Sequence, residues 1–485
     1  MCCEKTADRL MTPRAWTSVQ PGHLIAAPVV VLVLLLALLL GARASVSNLA
    51  LLATGFGAIV LVANPSLGLP AVLLSALLLP LSIPTGTEVM LHPVVFVLAA
   101  VAGLSLLKSV RAQRFVLAAS PANLPLLLFL IAGLLSFAVG NATWDWMVPH
   151  KSNFWLVQFA QWAIFALSAA AFWLTANTVR SIAALQRLTW LFLGVAGALA
   201  LLRMASVTAP LANAISTGAF IRAPLWVLLI ALGGGQLLFN RSLGAAARIF
   251  LLAVIVAVLF YAFVEAREAA STWVGIGVAM AVLVWLRWPR LRWLMIGMVV
   301  LLAVSGALFP FFYEFAGGDR EWDQSGGARL VLIERVVEVT LRNPITGLGP
   351  AAYRPYANVK PLPYGRALWM TPQINSHNNY VDLFSHVGLV GLALFGWFVI
   401  ALWRQGLRAR HRHRQGFASG YVNGVLAAGA SSLVIMLLAD WLLPFVYNIG
   451  FYGFQASVLV WLFWGGMVVL DRLPAQPVHG LDAPN

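Results

Sequence analysis

Charge is scarce in this chain. Only 10% of its 485 residues are Asp, Glu, Lys or Arg, where a soluble protein carries about 25%. With 61% of residues hydrophobic, that deficit excludes a soluble globular protein and leaves an all-α polytopic membrane protein. Cysteine is nearly absent as well. The two present, Cys2 and Cys3, sit at the extreme N-terminus. They cannot frame a disulfide scaffold or a metal site, and lipidation is the option they leave open. There is no HExxH and no Cys/His ligand spacing, which argues against zinc chemistry. No GxSxG is present for acyl transfer. No internal repeat and no pair of matched broken helices is visible, which weighs against an inverted-repeat transporter. No cofactor is expected.

What charge there is has one sign in excess, +15. Lys and Arg favour cytoplasmic loops, and assigning topology on that bias puts the whole excess on the inner face. The outer face then carries balanced charge. A basic inner face suits insertion and anionic lipid, so membrane lipid is the expected partner and nucleic acid is not.

Apolar stretches near the length of about 20 residues needed to cross the hydrocarbon occur fourteen times. The expected helices are 24–40, 48–63, 67–81, 93–107, 124–139, 154–175, 189–204, 224–239, 249–264, 272–286, 294–312, 387–403, 422–443 and 451–470. The order of the first three is the least defined. The segment from Leu24 reads as a first span rather than a cleaved signal, since no small-residue cleavage site follows it. Nineteen tryptophans, many near span ends, fit interfacial anchoring. Arg404 to Arg414 is the strongest cytoplasmic marker, and it sends the preceding loop to the opposite side of the membrane with both termini inside. The expected organisation is an N-terminal bundle over residues 1–313, a large loop over 314–386, C-terminal helices over 387–470 and a tail over 471–485.

The large loop is where the chain turns polar. It holds an Arg-bearing helix (Arg329 to Leu341), an Asn343-Pro344 stop, a turn at Gly347-Leu348-Gly349-Pro350, and Ser376-His377-Asn378-Asn379-Tyr380 ahead of the next span. His377 has the side chain that can take a proton from a hydroxyl at neutral pH; the alternative is a helix cap. Arg222 and Arg267 stand at the outer mouths of helices, where ionisable groups are costly and face the bundle interior or water. Their guanidinium forks match phosphate oxygens. The alternatives are snorkelling to headgroups, or pairing of Arg267 with Glu265 or Glu268. Arg203 ends its span in a similar place. Arg335 and Glu338 are spaced to pair on one helix face, and His386 lies deeper, able to hydrogen-bond inside the bundle.

Four motifs in order, Arg329-Leu-Val-Leu-Ile, Arg342-Asn-Pro-Ile-Thr-Gly-Leu-Gly-Pro350, Ser376-His377-Asn378-Asn379-Tyr380 and Gly388-Leu-Val-Gly391, resemble the core of the bacterial O-antigen ligase and O-antigen polymerase superfamily. The resemblance covers roughly Gly218 to Ile400. It implies a GT-C-like membrane glycosyltransferase of the inner membrane that uses a polyprenyl-diphosphate-linked glycan donor. The acceptor would be another glycan or lipid A-core sugar, and a polysaccharide chain-length regulator is a candidate partner. By the same resemblance His377 is the loop histidine that activates the acceptor hydroxyl, and Arg267, Arg222 and Arg329 contact the donor. Asn378 and Tyr380, from the same motif, join the substrate-binding set. Two departures stand out: Ala266-Arg267-Glu268 replaces a Ser-Arg-small pattern, and His386 stands where the family commonly has an acidic residue.

Overall fold

A computed structural model describes residues 63–113, 117–306, 310, 313–314, 327–359, 362–364, 367–369 and 375–474. Contacts divide the chain into Met1–Pro65 and Ser66–Asn485, and the elements named below belong to the second unit. The segments expected at 24–40 and, but for its last residue, at 48–63 lie outside the described residues.

Each of the other twelve expected segments holds a helix. In chain order these are α1 (Gly68–Leu78), α2 (Pro93–Arg111), α3 (Asn123–Ala142), α4 (Phe154–Thr178) and α5 (Ile182–Met204). A short helix α6 (Ala209–Ile215) precedes α7 (Ala223–Phe239), α8 (Ala245–Phe260), α9 (Ala270–Arg287) and α10 (Leu291–Val304). The loop region adds α11 (Gly327–Thr340) and α12 (Tyr353–Ala357), and the chain closes with α13 (Asn379–Arg412), α14 (Gly416–Ile435) and α15 (Gly450–Arg472). Among the described residues nine helices are long and apolar enough to cross a membrane, while α1, α7 and α10 are shorter apolar helices. Helix suits such segments because lipid offers backbone N–H and C=O groups no partner outside the segment itself. Two antiparallel hairpins interrupt the helices, Ile83–Pro84 with Met90–Leu91 and Leu362–Tyr364 with Ala367–Trp369.

Burial sorts the helices. The apolar stretch of α15 is wholly enclosed, and α14 nearly so. Outer helices α2 and α8 instead present Leu106, Val110, Ile249 and Val256 outward, as lipid-facing positions do. In lipid, helices associate by close packing rather than by water exclusion, and small residues supply it here. A Cβ on Gly235 of α7 would meet the Gly420 carbonyl of α14 at 2.4 Å. One on Gly465 of α15 would meet the Phe172 carbonyl of α4 at 2.3 Å. Ser431 of α14 donates to the Gly275 carbonyl of α9 at 2.6 Å.

The bundle has a basic end. Arg408 of α13 pairs with Asp471 of α15 at 3.1 Å, Arg410 donates to the Leu286 carbonyl of α9, and Arg472 donates to the Ala176 carbonyl of α4. The C-termini of α4, α9, α13 and α15 therefore gather at one end. Their N-termini lie at the other, and there the polar loops collect.

Two of the helix limits that differ from expectation shape that second end. The helix expected from Val387 begins at Asn379 and breaks at Gly388 (φ 65°, ψ −170°), a backbone conformation that only glycine adopts readily. The break releases ladder groups, and the Asn343–Leu348 turn takes them up. Leu389 and Val390 donate to the Pro344 and Ile345 carbonyls, and Leu348 donates to the Ser385 carbonyl. The turn thus acts as a plug for a broken helix. The helix expected over 422–443 ends at Ile435. Residues 436–449 form a loop because buried side chains satisfy their backbone more fully than a helix end would. Asn379 accepts from Leu442 N and Leu443 N at 3.0 Å each and donates to the Leu443 carbonyl. Gln161 of α4 accepts from Val446 N at 2.7 Å and donates to the Pro444 carbonyl. Asp440 accepts from Phe445 N and Asn448 Nδ2.

Candidate active site

His377 immediately precedes the cap of α13. Its backbone is left-handed, φ 48°, a conformation that is uncommon for a residue with a Cβ and persists only where the surroundings hold it. Those surroundings are specific. Asn378 caps α13, its side-chain oxygen accepting from Tyr380 N and Val381 N, while its amide donates to the Leu437 carbonyl. Ser376 Oγ accepts from Asn378 N at 3.0 Å and lies 2.5 Å from Asp382 Oδ1. Tyr353 of α12 donates to the same carboxylate oxygen at 3.1 Å. The Tyr380 hydroxyl donates to the Leu433 carbonyl. The helix-capping role thus falls to Asn378, and the His377 ring is left to other uses.

Burial holds the His377 imidazole down at about 4, and the nearby positive charge of Arg329 pushes it the same way. The ring is therefore neutral at physiological pH, with a lone pair available to accept a proton. Arg329, at the start of α11, is half-buried. Arg329 and His377, from separate motifs of the loop, are electrostatic neighbours in space.

Arg222 caps the N-terminus of α7, half-buried, between the rings of Tyr452 (5.1 Å) and Trp441 (5.7 Å). Its Nε is buried without a hydrogen-bond partner. Asp440, fully buried, is pushed toward its neutral form by burial and drawn partly back by backbone hydrogen bonds, chiefly from Phe445 N, then by Asn448 and by the charge of Arg222. The 436–449 loop carries both Asp440 and Trp441, which face Arg222, and Leu437, which holds Asn378. That loop joins the Arg222 and His377 neighbourhoods. Arg203, from the end of α5, donates to Ser216 Oγ at 3.1 Å and lies over the Phe220 ring, so it fastens the approach to Arg222.

Arg267 is exposed on the turn between α8 and α9. A π-helical turn, Tyr261–Glu265, ends α8 just before it, and Trp273 of α9 holds its carbonyl at 3.0 Å. Stacking of Tyr261 on Trp226 of α7, with ring centroids 4.0 Å apart, ties this turn to the Arg222 helix. Arg222, Arg267, Arg329 and His377 thus occupy loops and helix starts at the end of the bundle opposite the basic one.

Two expectations about neighbouring residues hold. Arg335 pairs with Glu338 at 2.7 Å. His386 accepts from Ala351 N at 3.2 Å, buried beneath Tyr353 and Phe445. Gly347 (φ 81°) and Gly349 (φ 106°) turn the chain in left-handed conformations. Arg342 lies just past the end of α11, exposed, and pairs with Asp145 at 2.7 Å across from Tyr356. Sequence reading missed Asp440 and Asp382 as a pair of buried carboxylates. Asp440 was hidden inside a run that looks like membrane helix, and its only signal was a lone carboxylate followed by Pro444.

Residues 253–396 match the family model described as O-antigen ligase. The chain carries an O-antigen ligase domain. The match supports a relationship to the O-antigen ligase and polymerase superfamily over those residues. The domain takes in Arg267, Arg329, His377, Asn378 and Tyr380, while Arg222 and the 436–449 loop lie outside it. No curated protein matches the chain.

Proposed function

We propose that this protein transfers a glycan from a polyprenyl-diphosphate donor to a sugar hydroxyl at the periplasmic face of a bacterial inner membrane, without a metal and with inversion at the anomeric carbon. The observation that carries this reading is His377, neutral and held in a left-handed turn beside Arg329, at the bundle end shared with Arg222 and Arg267. In the reaction the acceptor hydroxyl oxygen attacks the anomeric carbon from the face opposite the diphosphate. The bond from that carbon to the phosphate oxygen breaks, its electron pair stays on the departing diphosphate, and the hydroxyl proton passes to the His377 ring. Guanidinium groups at that end stabilise the charge as it grows on the leaving oxygen, the point at which catalysis gains most. The prenyl chain stays in lipid while diphosphate and sugars reach the loop. Polymerisation onto a second lipid-linked unit is favoured slightly over ligation to lipid A-core, because nothing in the sequence singles out a lipid A-core site.

Protonation supplies the test. A histidine at its ordinary value of about 6.5 would lose half its neutral form there. His377 sits near 4, so kcat/KM, which reports the free enzyme, stays flat as pH falls from 7 to about 5 and declines only as pH approaches 4. Bound diphosphate brings negative charge beside the ring and favours its protonated form, so the acid limb of kcat lies at higher pH than that of kcat/KM. Coincident limbs near pH 6.5, unchanged in His377→Gln, would remove His377 from proton transfer.

A further inference from the structure

A cleft of about 560 Å³ opens between the Ile83–Leu91 hairpin, the loop before α4 and helix α12. Its size falls within the roughly 300–1,000 Å³ of small-ligand sites. We infer that this cleft is a sugar-binding site that holds part of the glycan acceptor away from the reacting bond; the inference rests on the transfer reading above.

The cleft is lined by Glu88, His150, Lys151, Arg354, Asn358 and Tyr447, among others. Arg354 is buried, its guanidinium 3.1 Å from Glu88 and 4.1 Å from the centre of the Tyr447 ring. Lys151 approaches the other Glu88 oxygen at 3.8 Å. The hairpin tip is braced so that Glu88 stays in place: Thr85 donates to the Val89 carbonyl at 2.7 Å, and Val89 N donates to Thr87. The side-chain carbonyl oxygen of Asn358 is buried without a hydrogen-bond partner, a state that costs stability unless something else answers it.

The chemistry of the lining selects the ligand class. A phosphate or diphosphate would meet the Glu88 carboxylate, and the cations that could attract it are already partly neutralised there. An apolar chain would strand the carboxylate, amide and ammonium. A hydroxyl-rich ligand suits all of them, because each hydroxyl both donates, to Glu88 and Asn358 Oδ1, and accepts, from Lys151.

Position fits an acceptor site. Arg354 follows Tyr353, whose hydroxyl holds Asp382 and, through it, the His377 turn. Tyr447 packs on Phe445, which stacks on Tyr353. The cleft and the His377 turn therefore share one wall, and a glycan with its reacting hydroxyl at His377 has further sugars to place. Glu88, Lys151 and Tyr447 lie outside the 253–396 domain, so this half of the cleft can vary independently of it.

The test is saturation-transfer NMR on the full chain in nanodiscs. The probes are the repeat-unit oligosaccharide freed by mild acid from the host's lipid-linked donor, the host's core oligosaccharide, and inorganic phosphate. One of the two oligosaccharides is expected to receive saturation. Its Kd should rise about tenfold in Asn358→Ala and in Lys151→Ala, the scale of one lost polar contact. Asn358→Ala, whose side chain makes no ion pair, should melt with the parent, which separates loss of the site from misfolding. Binding of the repeat unit would mark a polymerase and of the core oligosaccharide a ligase. Saturation of neither sugar, binding that both variants retain, or competition by phosphate alone would each overturn the sugar site. All of these are read without turnover, so a failure here leaves the transfer reading to its own measurements.

Discussion

Replacing His377 by alanine is expected to lower glycan transfer by about 10²- to 10⁴-fold, the usual contribution of a positioned general base. Donor KM should change little, because the diphosphate is assigned to arginines. The size of the effect follows from how much of the local structure exists to place that one ring. Ser376, Asn378, Asn379 and Asp382 are committed to backbone or to one another, so no neighbouring side chain stands ready to replace the imidazole. Folding should survive, since the cap of α13 belongs to Asn378 and alanine lacks only the ring. His377→Gln is the sharper control, keeping polarity and approximate size while removing the basic nitrogen. If His377→Ala keeps a tenth or more of parental kcat with the parent's melting behaviour, the ring is not the base.

Gly388→Ala should damage the protein itself. A Cβ there would sit 2.1 Å from the Ile345 carbonyl oxygen, and φ is +65°, so the side chain meets both a backbone clash and an unfavourable conformation. The combined cost is roughly 3 kcal/mol or more, corresponding to a fall of roughly 3 °C or more in the midpoint of thermal unfolding. The consequence reaches the site, because the turn that plugs the break also leads into Tyr353 and from there to Asp382. Activity should fall with stability. Gly194→Ala in α5 is the matched control: a Cβ there meets nothing within 4 Å, and alanine is the better helix former. Equal melting of the two variants would mean that the plugged break is not a strained, specific feature.

The contrast between these two glycines shows what was legible in the sequence. Gly388 and Gly194 look alike in apolar runs, and only the fold reveals that one ends a helix against a carbonyl. The membrane class, the twelve described helices and the polarity of the bundle followed from long apolar runs and the bias of arginine, signals that depend on composition alone. His377, Arg222 and Arg267 stood out as candidates because charged or titratable residues at span ends are few and costly. Asn378 and Tyr380 were read as substrate contacts, yet their polar atoms already serve the α13 cap and the Leu433 and Leu437 carbonyls. Short polar residues at a helix start carry the same letters for either role. The 436–449 loop was hidden for a further reason. Its apolar composition is that of a span, and it leaves the helix because Asn379, Gln161 and Asp440, remote in sequence or buried, supply its backbone with partners.

The most direct measurement is transfer in proteoliposomes from a polyprenyl-diphosphate-linked glycan, with EDTA throughout, comparing the parent with Arg222→Gln and Arg267→Ala. The expected result is product from the parent that EDTA leaves unchanged and whose new linkage is inverted. Rates in the two variants should fall about 10²-fold or more, with melting unchanged in Arg267→Ala because that side chain is exposed. Absence of product from the parent, with the lipid-linked glycan instead moved across the bilayer, would contradict the account and identify a transporter.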